Sequence, residues 1–322
     1  MQTWSKPKIV VSKCLGNTAC RYNGEASTFS LYIKLKPFVE FIEVCPEVAI
    51  GLPVPREVIR LVREKDNIKL VESSSLKEYT EDMINFSTNF IDNLKGVNGF
   101  LLKSRSPSCG TRDVKIYQGT AKGAQSSKGK GIFGGLVQDR FSYLPIEEDG
   151  RLKNFAIRDH FLSSVFSLSE FSKVQEHQDL QTLLKYHSRH KLLFMSYNQT
   201  ELKNLGRIVA NHDYLSETEI INAYYTGLLK LLSKTPRYTS NINVFMHAFG
   251  YFSEYLNPKE RDFMLSVVEK YRAGKIPLSV LLNLLKSQAI RFNNEYLLEQ
   301  SFLEPYPEEL IDISDSGKGV TR

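Results

Sequence analysis

The sequence predicts an α/β domain with a mainly parallel sheet, followed by an all-α domain. Its 322 residues exceed the usual size of one domain, so two domains are expected. The first half alternates short β-branched runs with helical stretches, which is typical of a parallel sheet covered by helices. The second half consists of long amphipathic segments with helix-capping residues. We therefore predict a Rossmann-like domain at residues 1–173, a helical domain at 174–306 and a flexible tail at 307–322.

Composition restricts the class of protein. Apolar residues make up 42% of the chain and charged residues 24%, which excludes a disordered or fibrous protein. The sequence contains neither a signal peptide nor a run of about eighteen apolar residues, so we expect a cytoplasmic protein without membrane contact. In a reducing compartment, the four cysteines are explained by burial, metal binding or reactivity rather than by disulfides.

The elements of the first domain follow from its apolar runs. Strands are predicted at residues 8–12, 38–44, 68–73 and 99–104. Between the last two, an apolar stripe recurs at helical spacing and predicts a core-facing helix; its members are Met83, Phe86, Phe90 and Leu94. A further helix over residues 151–174 closes the domain, which places the boundary near Val174.

The positive charge of the chain is concentrated in one segment. Residues 101–130 contain seven basic residues against one acid, which equals the net charge of +6. Such a segment favours an anionic substrate, phosphate or nucleic acid, although a solvated surface loop is the common alternative. Within it, the Gly-, Ser- and Lys-rich stretch 121–135 predicts a mobile loop beside the site, with a passive linker as the alternative.

The second domain shows strong helix-start signals. Ser216 with Glu219, and Asn257 with Glu260, fit capping boxes. Five of the six histidines fall in this half: His177, His187, His190, His212 and His247. Their spacings match no recognised metal motif, so solvated or core histidines are the better interpretation.

Three of the four cysteines follow predicted strands. Cys14, Cys45 and Cys109 come just after the strands at 8–12, 38–44 and 99–104, whereas Cys20 lies away from any strand and is the least expected ligand. Ligands bind at the carboxyl edge of a parallel sheet, so these thiols are expected to be neighbours in space. Zinc, an iron–sulfur cluster, a redox or persulfide centre, and inert buried cysteine all remain open at this point.

The residues beside these cysteines add polar groups to the predicted site. Glu47 is held near Cys45 by Pro46 and would serve as a base that deprotonates water, or else cap a turn or pair with an arginine. Ser106 and Ser108 stand one turn before Cys109 and would donate hydrogen bonds to a cluster sulfur or to a substrate.

Together, the motifs SKCLGNTACRYNG, VCPEVAIGLPVPRE and LLKSRSPSCG resemble the TudS family of thiouracil desulfidases, over about Lys8 to Phe171. The second half is similar, through shorter motifs such as YHSRHKLLFMSYNQ, to the helical domain of the RudS tRNA 4-thiouridine desulfidases, as far as about Tyr306.

The resemblance implies a 4Fe-4S cluster held by Cys14, Cys45 and Cys109, with one iron open to the sulfur of the substrate. It implies that Glu47 deprotonates the attacking water and that Ser106 orients or protonates the leaving group. The reaction would be a non-redox hydrolysis that gives uridine and sulfide.

The leading hypothesis is therefore a desulfidase for 4-thiouridine in tRNA, with no obligate protein partner. The base would leave its stack, and basic residues would hold the RNA. The expected RNA or substrate contacts are Lys103, Arg105, Arg112, Lys128, Lys130, Arg189, Lys191, Lys234 and Arg237. The alternatives are a desulfidase for free thiouracil or thiouridine monophosphate, a non-catalytic RNA-binding protein with a structural metal, and a persulfide sulfurtransferase.

Overall fold

The computed structural model describes residues 4–26, 29–65, 67–121, 123–210 and 214–312. They divide into two compact units. One contains Ser5–Phe161 with residues 309–312, and the other contains Leu162–Glu308 with Trp4. This division and the predicted boundary near Val174 both fall within one continuous helix, so the domain limits stay a prediction.

The Ser5–Phe161 unit contains two four-stranded sheets. In chain order its strands are β1 (Lys8–Ser12), β2 (Glu40–Val44), β3 (Ile59–Glu64), β4 (Asn67–Glu72), β5 (Gly99–Leu102), β6 (Val114–Tyr117), β7 (Ser126–Gly129) and β8 (Ile146–Glu148). The first sheet has the order β2-β1-β5-β8 and is parallel throughout. The second has the order β4-β3-β6-β7, in which only the β3–β6 pair is parallel. The predicted α/β class with a mainly parallel sheet is confirmed, and the mixed second sheet is an addition to it.

The helices of the chain are α1 (Ser30–Leu35), α2 (Pro46–Ala49), α3 (Thr80–Asp92), α4 (Ile132–Arg140), α5 (Phe155–His177), α6 (Leu180–Tyr197), α7 (Gln199–Ala210), α8 (Glu217–Leu232), α9 (Tyr238–Gly250), α10 (Pro258–Arg272), α11 (Leu278–Arg291) and α12 (Glu295–Leu298). The apolar stripe predicted on α3 is confirmed as core. Met83 is fully buried against the second sheet, while Phe86 and Phe90 pack against the core of the first. One amphipathic helix therefore covers parts of both sheets.

The prediction of a mobile loop at 121–135 is wrong for its second half. Residues 126–129 form β7, which pairs antiparallel with β6, and α4 begins at Ile132. The glycines that suggested flexibility instead permit close backbone contact. A Cβ atom on Gly134 would lie 2.4 Å from the carbonyl oxygen of Cys109, and one on Gly131 would lie 2.5 Å from that of Ser108. Lys122, in the first half, lies outside the described residues.

The Leu162–Glu308 unit is helical in its described residues, as predicted. Both capping boxes are confirmed: the side chain of Ser216 accepts a hydrogen bond from the backbone N–H of Glu219, and Asn257 does the same for Glu260. No helix among the described residues is long and apolar enough to cross a membrane. Leu310, in the predicted tail, is buried, and residues 313–322 lie outside the described part, so the flexible tail stays a prediction.

The buried His190 and the half-buried His187 of this unit both have polar partners, as expected for histidines packed in a core. His190 lies 2.6 Å from Oε2 of Glu170 through its Nε2 and 2.8 Å from Oγ of Ser301 through its Nδ1. His187 lies 2.9 Å from the hydroxyl of Tyr224. His212 falls outside the described residues.

His187 is expected to make the stability of the protein depend on pH. Burial lowers the pKa of His187 from 6.5 to about 4. Between these values the unfolded chain binds a proton that the folded chain does not, so the free energy of unfolding is expected to fall as the pH drops from about 6.5 towards about 4. Because the ring keeps some contact with solvent, the expected loss in the free energy of unfolding is about 2 kcal/mol. Urea unfolding across this range should show a shallower decline for His187→Gln; an unchanged slope would contradict the assignment.

Candidate functional site

A cavity of about 780 Å³ opens at the carboxyl edge of the first sheet. The chain runs from β1 to β2 on one side of β1, and β5 lies on the other side, so the strand order reverses direction at β1. At such a reversal a crevice opens beyond the carboxyl ends of the strands. Residues that follow β1, β2 and β5 line the cavity, including Cys14, Cys45 and Cys109. The expected convergence of sequence-distant thiols on one crevice is therefore present.

The thiols are close enough to influence one another. Burial, and after it the neighbouring Cys45, raises the pKa of the Cys14 thiol to about 11. Burial also raises the pKa of Cys109 above its usual range, with smaller contributions from Cys14 and Cys45. Among the described residues, no three His, Cys, Asp or Glu side chains converge as ligands of a single metal ion. The three-cysteine ligand set therefore stays a prediction.

Cys20, the least expected ligand in the sequence analysis, also lines the cavity. It is 5% exposed, and its carbonyl oxygen lies 3.9 Å from the Sγ of Cys45. Burial, followed by Cys45 and Cys14, raises the pKa of its thiol to about 12. The other three cysteines were predicted because each follows the end of a strand. Cys20 lies on a loop away from any strand end, so this criterion does not identify it.

Glu47 lies in the first turn of α2, directly after Cys45 and Pro46, and its carboxylate is fixed at both oxygens. Oε2 accepts hydrogen bonds from Nε of Arg56, at 3.0 Å, and from Nη2 of the same residue. Oε1 accepts one from Oγ of Ser108, at 2.6 Å. The side chains of Arg56 and Glu47 are only 3% and 13% exposed, so the pair is largely desolvated. Glu47 therefore pairs with an arginine inside the cavity, as one of the alternatives in the sequence analysis expected.

Arg56 also ties two loops to this carboxylate. Its Nη1 donates to the carbonyl oxygen of Cys20 at 3.1 Å and to that of Pro53 at 3.3 Å. Its backbone N–H donates to the carbonyl of Tyr22 at 2.7 Å. The sequence analysis did not single out this residue, and a lone arginine after a proline-rich stretch offers no pattern that would have identified it.

Ser106 and Ser108 have different roles in the loop before Cys109. Oγ of Ser106 accepts hydrogen bonds from the backbone N–H groups of Ser108, at 3.2 Å, and Cys109, at 3.1 Å, and lies 3.5 Å from Oε1 of Glu47. Ser108 is fully buried and donates directly to Glu47. Ser106 therefore shapes the loop and faces the cavity, whereas Ser108 holds the carboxylate.

Only some of the basic residues predicted to contact substrate or RNA in this unit lie in the cavity. Lys103, Arg105 and Lys128 line the cavity, but Arg112 and Lys130 do not. Lys103 forms an ion pair with Asp149, and Lys128 forms one with Asp113 at 2.8 Å. Lys130 lies 3.6 Å from Asp139, and the backbone N–H of Arg112 donates to Glu148. The lining also contains Lys13, Arg21, Arg60 and Lys115, which the sequence analysis did not select.

The predicted basic contacts of the helical unit are distributed over its surface. Lys191, Lys234 and Arg237 are exposed. Arg189 is engaged within the unit, since it pairs with Glu170 and its guanidinium lies 6.0 Å from the ring of Trp4. Their contact with RNA stays a prediction.

Comparisons with known proteins agree with this arrangement. Residues 9–149 match the model of the 2-thiouracil desulfurase family, and residues 191–307 match that of a protein family of unknown function, DUF1722. The chain is 32% identical over 161 residues to the uncharacterized protein YbgA of Escherichia coli (strain K12), covering 49% of this chain and 95% of that protein. It is 30% identical over 138 residues to the uncharacterized protein YbbK of Bacillus subtilis (strain 168), covering 40% and 89%.

A solved structure, the 4Fe-4S-dependent thiouracil desulfidase TudS, is 28% identical, covers 46% of this chain and 93% of its own, and superposes with a TM-score of 0.37. The sequence matches are what decide the family. The chain belongs to the 2-thiouracil desulfurase family, in a two-domain form that carries a DUF1722 domain after the desulfurase domain.

Proposed function

We propose that this protein is a desulfidase that hydrolyses the C–S bond of 4-thiouridine in tRNA, with a 4Fe-4S cluster held by Cys14, Cys45 and Cys109. The observation that carries this proposal is the presence of three thiols and a fixed carboxylate in one cationic cavity. A structural zinc site would not require Glu47 and Arg56 to be desolvated beside the thiols.

The donor set fits the proposed cofactor. Thiolates are the ligands of iron–sulfur clusters, and three thiolates leave one of the four irons without a protein ligand. When bound, the cluster would supply a soft Lewis acid that polarises a thiocarbonyl. Because burial raises the pKa of Cys14 and Cys109, each thiol must release a proton on binding iron.

Glu47 is the general base in this proposal. A carboxylate offers about four acceptor positions. Arg56 occupies two of them on Oε2, and Ser108 occupies one on Oε1 at 2.6 Å. The fourth is met only by the hydroxyl of Ser106, at 3.5 Å, a long contact that a water would replace. Oε1 would take the proton of a water that attacks carbon 4 of the base. The oxygen of that water replaces the sulfur, which leaves as sulfide, so no electrons are gained or lost.

An anionic substrate suits the lining of the cavity, in which the described part of the chain places eight basic side chains and two acidic ones. This observation also supports the second candidate function, the desulfuration of a free thiouridine monophosphate. In the leading proposal, the exposed basic residues Lys191, Lys234 and Arg237 hold the tRNA.

Replacing Cys109 by alanine is expected to prevent cluster assembly and to abolish turnover. The protein would be reconstituted anaerobically with iron and sulfide, and its iron content and visible absorbance measured. It would then be incubated with tRNA containing 4-thiouridine while the near-ultraviolet absorbance of the thiocarbonyl is followed. Loss of that absorbance with wild type alone supports the proposal. Turnover of thiouridine monophosphate but not of tRNA selects the second candidate, and a wild type that binds no iron refutes both.

A further inference from the structure

Ser12 places a hydroxyl group on an apolar face of the first sheet. It is the last residue of β1 and only 1% exposed. Alternate residues of a strand point to the same face, so its side chain lies on the face of Val10. Val10 belongs to the apolar core in which Cys109 is buried, and so does Val44, the partner of Ser12 on β2. Ser12 therefore lies on the side of the sheet that packs against Cys109, and it also lines the cavity.

The hydrogen of this hydroxyl group is directed at the thiol. The oxygen of Ser12 accepts a hydrogen bond from the backbone N–H of Lys103, at 2.9 Å, and a buried hydroxyl also needs an acceptor for its own hydrogen. Burial raises the pKa of the Cys109 thiol, and a side-chain hydrogen bond with Ser12 opposes this rise. A hydrogen bond that lowers the pKa of a thiol is one donated to its thiolate form. Ser12 is therefore the donor and the sulfur of Cys109 the acceptor.

The backbone that orients the hydroxyl group is itself held in place. The side chain of Lys103 pairs with Asp149, and the backbone N–H of Ser104 donates to the same carboxylate at 2.8 Å. These contacts hold the end of β5, whose N–H group approaches the oxygen of Ser12. Ser12 itself lies on β1, which has β2 on one side and β5 on the other. The hydroxyl group thus has a fixed direction before any ligand binds.

A hydrogen bond to a thiolate changes the chemistry of the sulfur. The donor withdraws negative charge from the sulfur, so less charge is passed to a bound metal. Hydrogen bonds to the sulfurs are among the factors that set the reduction potential of an iron–sulfur cluster. A cluster with less negative charge accepts an electron more readily, and it is also a stronger Lewis acid.

We propose that Ser12 is a positioning residue of the cluster site, which donates a hydrogen bond to the thiolate of Cys109 and thereby raises the reduction potential of the bound cluster. This inference rests on the proposed function, because it requires a cluster held by Cys109. It adds a residue that contacts neither the iron nor the substrate and acts through the sulfur alone.

The test measures the reduction potential of the cluster in three variants and wild type. Ser12→Ala removes the donor, Ser12→Thr keeps a hydroxyl group, and Ser87→Ala is the matched control, a fully buried serine of α3 that does not line the cavity. Each protein would be reconstituted anaerobically and titrated with a reductant while its visible absorbance is followed. Without the donor, the ratio of reduced to oxidised cluster at a fixed potential should fall by roughly three- to tenfold. Ser12→Thr and Ser87→Ala should keep the wild-type potential.

A structural role for Ser12 would give a different result. If the hydroxyl group served only as the acceptor for the N–H of Lys103, then Ser12→Ala would lower the stability in urea unfolding without changing the potential. An unchanged potential therefore overturns the proposal. Equal shifts in Ser12→Ala and Ser12→Thr overturn it as well, since the second variant retains the donor.

A separate measurement tests the hydrogen bond without a cluster. If wild type assembles no cluster, the proposed function fails, and if Ser12→Ala alone assembles none, its potential cannot be measured. In both cases the metal-free full-length proteins would be alkylated with iodoacetamide at one fixed pH, and the modification of Cys109 followed by peptide mass spectrometry. The thiolate is the reactive form, so Ser12→Ala should slow this alkylation several-fold relative to wild type and Ser87→Ala. An equal rate in all three proteins refutes the hydrogen bond.

Discussion

Replacing Glu47 by glutamine is expected to reduce kcat by roughly 10²- to 10⁴-fold, the usual contribution of a general base. Glutamine keeps the shape of the side chain, and its amide oxygen still accepts a hydrogen bond, but it does not take a proton from water. Iron content should stay at the wild-type level, because Glu47 is not among the proposed ligands. The measurement is single-turnover desulfuration by the reconstituted protein, alongside iron analysis. A variant that keeps full activity would exclude Glu47 as the base.

Replacing Arg56 by alanine is expected to have the largest effect on stability. The change leaves the carboxylate of Glu47, which is 13% exposed, without its cationic partner, and removing one member of a buried ion pair costs about 3–5 kcal/mol. It also removes the hydrogen bonds to the carbonyl oxygens of Cys20 and Pro53. Denaturant unfolding would measure the loss of stability.

A double-mutant cycle distinguishes the ion pair from general damage. If Arg56 acts mainly through Glu47, then Arg56→Ala should cost markedly less stability in a background that carries Glu47→Gln. Arg56→Lys should recover part of the stability but cannot place two donors on Oε2 of Glu47, so its kcat should stay below that of wild type. Equal costs in both backgrounds would show that Arg56 supports the loops alone.

The sequence was sufficient to predict where the cysteines meet, because the carboxyl ends of parallel strands share one edge. Cys14, Cys45 and Cys109 needed only the strands before them to be identified. The same reasoning could not locate Arg56 or Cys20. Both act from irregular loops, where no periodic pattern links a position in the sequence to a direction in space.

The second sheet was harder to predict than the first. Its edge strand β7 reads SSKG, which has neither β-branched nor apolar residues, and its pairing with β6 is what makes it a strand. The glycines after it look like loop residues for the same reason. Their role becomes visible only once α4 is seen against the Cys109 loop, where the N–H groups of Ile132 and Gly134 donate to the carbonyls of Pro107 and Ser108.

That contact between α4 and the Cys109 loop has a consequence for genetics. Any side chain added at Gly131 or Gly134 would push against the backbone that carries Cys109. A random screen for inactive alleles should therefore recover changes at these two glycines as readily as changes at the cysteines, although neither glycine has a functional group to lose. Such alleles would show that the position of the Cys109 loop depends on the packing of α4 against it.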